Sequence, residues 1–285
     1  YEELLDTIKG FNLSVFKTLK EDGVKATWKK TNATFLVVLF AGIFTSIISL
    51  AKGITFLLAT YPILLWAFFF GLIVASSVII GKYIKEWNWK TIGMMVVGAA
   101  IAFYITVAAP SQIPDGLIYI FLSGCIAICA MILPGISGSF ILLLLGAYAT
   151  VLGSISGLVD GLKAADVDLI IQYGTNISIF MLGCIVGIIA FSNFLSWMFK
   201  KAYSLTMALL TGFMIGSLNK VWPWKETTEF RINSHGEEVP FLQSNISPSY
   251  FEDLTGEPSQ LWLAIGLCIV GFLVVFVMEK MAASK

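Results

Sequence analysis

Residues 116–159 read GLIYIFLSGCIAICAMILPGISGSFILLLLGAYATVLGSISGLV, 44 residues without one Asp, Glu, Lys, Arg or His. A single helical crossing of about 30 Å of hydrocarbon takes about 20 residues, so this run predicts a hairpin, either two full crossings or a shallower re-entrant pair. Pro134-Gly135-Ile136-Ser137-Gly138-Ser139 lies at its middle and marks the turn, and both ends of the run then emerge on the same side. The stretch is the longest of a series. Charges are also missing from 33–51, 53–81, 91–114, 169–199, 202–219 and 258–278. The fold class that follows is an all-α polytopic membrane protein.

Composition agrees. Of 285 residues 58% are hydrophobic and 13% charged, whereas a soluble domain carries about 25% charged residues. Lysine plus arginine equals aspartate plus glutamate, 18 each, and Arg231 is the sole arginine. No electrostatic footprint for a nucleic-acid backbone exists, so that partner class is dropped. Cys125, Cys129, Cys184 and Cys268 sit inside apolar runs without CxxC or Cys/His spacing, and they read as packed small side chains. The single histidine, His235, falls in a polar loop, so no metal site and no cofactor is implied. The chain opens at Tyr1 with neither an initiator Met nor a cleavable signal pattern, and reads as though it starts partway into a longer protein.

Working outward from the hairpin, residues 1–32 combine six lysines and five acids with apolar residues at helical spacing, an amphipathic segment on the membrane surface. A span over 33–50, a connector holding Lys52, and a run to Ile80 interrupted by Tyr61-Pro62 follow. Lys82, Lys85 and Lys90 with Trp87 and Trp89 form an interfacial anchor before a third span, 92–109. Beyond the hairpin come a charged loop over 160–168, spans near 176–199 and 203–218 separated by Lys200-Lys201, a polar stretch 219–260, and a last span 261–278.

The chain also carries signs of an internal repeat. Gly71-Leu-Ile-Val-Ala-Ser76 aligns with Gly212-Phe-Met-Ile-Gly-Ser217 at an offset of 141, and Tyr1 to Gly10 can be laid on Tyr148 to Gly157 at 147. On this reading 1–115 is a first repeat whose hairpin and motif precede Tyr1, and 116–285 is a second, with 219–260 as an extracytoplasmic loop. Three crossings per repeat would invert one half relative to the other, and inverted repeats with broken helices are a transporter architecture. Chance similarity between Leu- and Gly-rich spans is the competing explanation. The positive-inside rule places 1–32, 82–90, 200–201 and the C-terminus, with 13 basic residues against five on the other side, in the cytoplasm.

The motif offers two chemistries. A Pro-Gly break followed by Ser137-Gly138-Ser139 writes a helix start inside the membrane, where unmet N–H donors are costly. The serine hydroxyls can cap part of that set, the glycines admit a ligand to the backbone, and the helix dipole favours an anion such as a phosphate. Alternatively, Pro134 and Gly135 form a tight turn and Gly138 lets helices pack. Both fit these residues. No apolar run holds an acid, base or nucleophile–base pair, so enzymatic catalysis is not expected.

Ala130-Met131-Ile132-Leu133-Pro134-Gly135-Ile136-Ser137-Gly138-Ser139-Phe140, continuing to Gly146-Ala147-Tyr148, closely resembles the second signature of the bacterial DUF368 membrane proteins, the polyprenyl-phosphate (undecaprenyl phosphate) transporters. Span order extends the resemblance over the whole chain, while only 124–148 is specific. Two departures stand out: Ser139 replaces a glycine of the family motif, and the first motif copy is absent, with Tyr1-Glu2-Glu3-Leu4-Leu5 resembling the stretch that follows it. The resemblance implies a multi-pass protein of the bacterial cytoplasmic membrane that returns undecaprenyl phosphate from the outer to the inner leaflet for cell-wall synthesis. It implies substrate contacts at Pro134, Gly135, Ser137, Gly138, Ser139 and Tyr148, with Glu2 and Glu3 as rim or coupling residues. The expected partners are this polyprenyl phosphate and membrane lipids; homo-oligomerisation is compatible with the sequence. A carrier or channel for a small soluble anion, or a scaffold in which the motif only packs helices, are the alternatives.

Overall fold

The computed structural model describes residues 23–108, 116–232 and 238–283, together with Thr7, Lys20 and Glu21. The amphipathic reading of 1–22, the repeat match at Tyr1 to Gly10, Pro110, Pro114 and His235 lie outside these residues. The described chain forms α1 (Gly23–Lys30), α2 (Ala33–Thr60), α3 (Pro62–Lys82), α4 (Trp89–Val107), α5 (Leu117–Ile132), α6 (Gly138–Leu144), α7 (Ala147–Ala164) and α8 (Val167–Ser217). A 3₁₀ turn (Leu218–Val221), an antiparallel hairpin of β1 (Lys225–Ile232) and β2 (Glu238–Asn245), α9 (Pro248–Thr255) and α10 (Leu261–Ala283) complete it. Helices α3, α4, α8 and α10 are long and apolar enough to span a membrane. Their outward faces carry Val, Ile, Leu and Phe, as a lipid solvent requires, and Trp89 and Trp262, 79% and 82% exposed, open α4 and α10 as interfacial anchors. The chain is a multi-pass membrane protein.

Three boundaries differ from the sequence reading. Helix α2 runs unbroken through Lys52, because one lysine removes no backbone donor and nothing else there stops a helix. Lys200 and Lys201 likewise stay helical, and α8 breaks only at Ala202, whose φ −149° and ψ 59° are non-helical. The loop over 160–168 shrinks to a tight link: α7 continues to Ala164, Ala165 turns with φ 54°, and Asp166 Oδ1 accepts from the N–H groups of Asp168 and Leu169 at 3.0 and 3.2 Å to start α8.

The chain divides into two compact units that interleave along the sequence, 1–44 with 107–206 and 45–106 with 207–285. Within the first, α5 lies against α8 along a seam of small residues. A Cβ on Gly124 would stand 2.5 Å from the Phe180 carbonyl oxygen, and one on Gly187 2.7 Å from that of Cys125, so only glycine fits. Cys125, Cys129 and Cys184 lie along this seam and bond across it: Cys125 Sγ donates to the Gly183 carbonyl at 3.0 Å and Cys184 Sγ to that of Gly124 at 3.6 Å.

In the second unit, Ile63, Ala67, Gly71 and Ala75 recur every fourth residue on the buried face of α3, the spacing of a small-residue packing stripe. An added Cβ on Gly71 would overlap the Cys268 carbonyl of α10, and one on Gly271 would overlap that of Phe68 on α3. Helices α4 and α8 cross in the same manner: a Cβ on Gly212 would meet the Met95 carbonyl, and one on Gly98 that of Leu209. The 219–260 segment seats on the starts of α3 and α10, where Trp224 is buried with Ile63, Ala67 and Ala264. Trp224 Nε1 donates to the Ser259 carbonyl at 2.9 Å and Trp222 Nε1 to that of Ile246 at 2.8 Å. Glu252 accepts from Ser259 N–H and Oγ–H at 2.9 and 2.6 Å, bonds that hold its carboxyl below the ordinary range.

Candidate functional site

The motif lies in the first unit. Helix α5 ends where Leu133 turns extended, φ −74° and ψ 129°, the conformation a following proline imposes. Gly135 has φ 87°, a left-handed conformation that favours glycine, and an extended Ser137 then opens α6. Seven residues of α6 rise only about 10 Å, a third of the hydrocarbon thickness. Helix α6 alone therefore cannot complete a crossing. After Gly146, φ 73°, the chain bends by 108° into α7.

Pro134, Gly135, Ser137, Gly138 and Ser139 form one contiguous turn, and the expected serine cap is not made. The Ser137 hydroxyl makes no capping bond to α6; it lies 2.8 Å from Ser139 Oγ, and both serines are exposed. The pair thus presents hydroxyls outward from a break in an apolar hairpin. Gly138 is buried against α5, where an added Cβ would overlap Met131 and stand 2.7 Å from the Ala127 carbonyl oxygen. Its lack of a side chain serves packing between the arms. Tyr148, half-buried in the first turn of α7, lies beyond the Gly146 bend and outside the turn. Glu2 and Glu3 fall outside the described residues.

Two residues on α5 escaped the sequence reading. Tyr119 donates its hydroxyl to the Leu145 carbonyl, tying the start of the hairpin to the end of its return arm. A tyrosine in the first turn of an otherwise apolar helix was the available signal. Tyr119→Phe should cost about 1 kcal/mol, the ordinary net value of such a bond, read as a lower thermal midpoint in detergent. Ser123, 1% exposed, has a buried hydroxyl with no hydrogen-bond partner among the described residues. An unsatisfied hydroxyl costs about 1–3 kcal/mol, so Ser123→Ala should raise the thermal midpoint.

Among the described residues no group of three His, Cys, Asp or Glu side chains could hold a metal ion. What the turn offers is neutral hydrogen bonding, from hydroxyls and backbone, within an apolar segment. That chemistry suits reversible attachment of an anionic headgroup.

Residues 1–239 match the family described as VCA0040-like, undecaprenyl phosphate translocase-like. A polyprenyl-phosphate transporter of Vibrio cholerae is 44% identical over 282 residues, covering 99% of this chain and 87% of the relative. A polyprenyl-phosphate transporter of Staphylococcus aureus is 32% identical over 205 residues, 67% of this chain and 69% of the relative. No solved structure matches the chain.

Proposed function

The chain belongs to the undecaprenyl phosphate translocase-like family, and from that premise we propose that it carries undecaprenyl phosphate from the outer to the inner leaflet of the bacterial cytoplasmic membrane, for reuse in cell-wall synthesis. The observation that carries the site is the exposed Ser137–Ser139 pair at a break in the apolar hairpin. Moving a phosphate into a low-dielectric medium costs many kcal/mol, so a carrier must supply polar groups where lipid supplies none. Two hydroxyls and the backbone at the start of α6 would supply them at the turn while the isoprenoid tail stays in lipid. Pro134 and Gly135 shape the turn, Gly138 closes the arms, and Tyr148 flanks the bend.

The proposed architecture is a pair of inverted halves, and the second unit supports it. The offset 141 that aligns the sequences relates Gly71 to Gly212 and Phe68 to Leu209, while 173 relates Met95 to Cys268 and Gly98 to Gly271. Each glycine–carbonyl contact between α3 and α10 thereby has a counterpart between α8 and α4. Tyr61, with φ −135° and ψ 55°, matches the break at Ala202, again 141 residues on. Helix α3 begins beside the 219–260 segment, whereas its counterpart at the end of α8 runs into that segment, so the two run in opposite directions.

The test is translocation of labelled polyprenyl phosphate in proteoliposomes, with labelled inorganic phosphate as a second arm. Lipid movement without inorganic phosphate flux is expected. Inorganic phosphate flux without lipid movement would make the protein a soluble-anion carrier instead.

A further inference from the structure

In the second unit, the β-hairpin, α9 and the C-terminal end of α2 line a cavity of about 750 Å³ above the starts of α3 and α10. Tyr61, Trp66, Lys225, Gln243, Phe251 and Gln260 are among its walls. Lys225 is its cation. The ammonium lies 3.8 Å from the centroid of the Trp66 ring and donates to the Lys220 carbonyl at 2.9 Å. No carboxylate among the described residues pairs with it. The one acid in the lining, Glu257, is exposed.

We propose that this cavity is a second, separate binding site, for a phosphate monoester that carries an apolar tail, with Lys225 as its anchoring cation. Three observations lead there. A cation over an aromatic face and among apolar walls is largely removed from water with no carboxylate beside it among the described residues, which leaves its charge to be satisfied by a ligand. Helices α3 and α10 both start at the cavity, Tyr61-Pro62 and Gln260-Leu261, so two positive dipole ends reinforce Lys225. Trp66, Ile63, Leu58 and Phe251 offer apolar surface to a tail that inorganic phosphate lacks. Burial, and then the neighbouring Lys220 charge, pull the Lys225 amine down to about 7, and burial lowers Lys220 as well. An incoming phosphate reverses that, drawing a proton onto Lys225.

The site does not depend on the hairpin motif. It rests on the proposed function only for its place in the cycle: the lysine count puts this face outside, where the lipid would be captured. Binding and transport can therefore fail separately.

The low pKa also provides the assay. At pH 7.5 a large part of the Lys225 amine is uncharged, against about one part in a thousand for an ordinary lysine, so an amine-acylating reagent should label it ahead of the other lysines. The purified full chain is labelled in detergent with farnesyl phosphate, inorganic phosphate or farnesol present, and sites are read by mass spectrometry. Farnesyl phosphate should protect Lys225, inorganic phosphate should protect only at concentrations about tenfold higher or more, and farnesol should not protect. Equal protection by both phosphates would assign the site to free phosphate and overturn the tail. Protection by farnesol, or by none of the three, would overturn the anion site. Direct binding of farnesyl phosphate should weaken about tenfold or more in Lys225→Met and strengthen in Glu257→Gln. Opposite responses from two variants cannot both come from misfolding, and equal affinities in the two would also overturn the proposal.

Discussion

Gly71→Ala and Gly212→Ala should each unfold at markedly lower temperature than the parent protein, and by similar amounts. In both, the new methyl group would overlap a main-chain carbonyl, of Cys268 in one and Met95 in the other. No side-chain rotation relieves such a clash, so the helices must separate along their crossing. Overpacking of this kind costs about 1–3 kcal/mol, at the upper end where the obstruction is backbone. Gly266→Ala and Gly42→Ala supply the contrast. A Cβ at either meets nothing within 4 Å, and alanine gains about 1 kcal/mol over glycine in a helix interior. Thermal midpoints in one detergent decide the matter. A Gly71→Ala or Gly212→Ala variant as stable as Gly266→Ala would remove the close crossings from the fold. A large loss in one and none in the other would remove the equivalence on which the inverted halves rest.

Those four glycines also show where sequence reading ends. Apolar length was legible, because in lipid a span must be apolar nearly all round, and the spans fell where charge was missing. Tyr61-Pro62 was legible because proline removes a donor, so the helix after it had to start there. Ala202 carries no such mark, and only its place 141 residues after Tyr61 hints at the break. Lys52 and Lys200-Lys201 misled for the complementary reason: a charge does not interrupt a helix, which ends only where backbone groups find other partners. Gly42 and Gly71 look alike in sequence, yet one meets open space and the other a carbonyl. Seeing that takes the neighbouring helix. In the motif, the turn followed from Pro134 and Gly135, and the packing of Gly138 was one of the two readings its residues allowed, whereas the bonding of the serines did not follow. Whether a serine caps its own helix or bonds its neighbour depends on rotamers that spacing does not fix. The Lys225 cavity was hidden more deeply, since its walls come from the ends of α2, α3 and α10 and from a polar stretch that alone reads as a loop.

The joint substitution Ser137→Ala with Ser139→Ala should slow polyprenyl phosphate translocation about tenfold or more while leaving thermal stability unchanged. The two halves of that expectation come from the same geometry. In the protein alone the hydroxyls bond each other at an exposed turn, neither caps α6, and so removing both leaves no buried group unpaired. A passing phosphate, by contrast, would lose two donors in an apolar setting. Hydrogen bonds to a charged group are worth about 1.5–3 kcal/mol each, and even one such loss in the rate-limiting barrier slows transport about tenfold. Ser137→Thr, which keeps the hydroxyl, should retain more activity than Ser137→Ala. Gly138→Ala should behave in the opposite way, lowering stability first, because its methyl group would run into Met131 and Ala127 on α5. Gly138 variants therefore report on hairpin packing and the serine variants on the headgroup. Full transport by the double variant would mean that the phosphate crosses elsewhere and that the turn serves only to fold the hairpin.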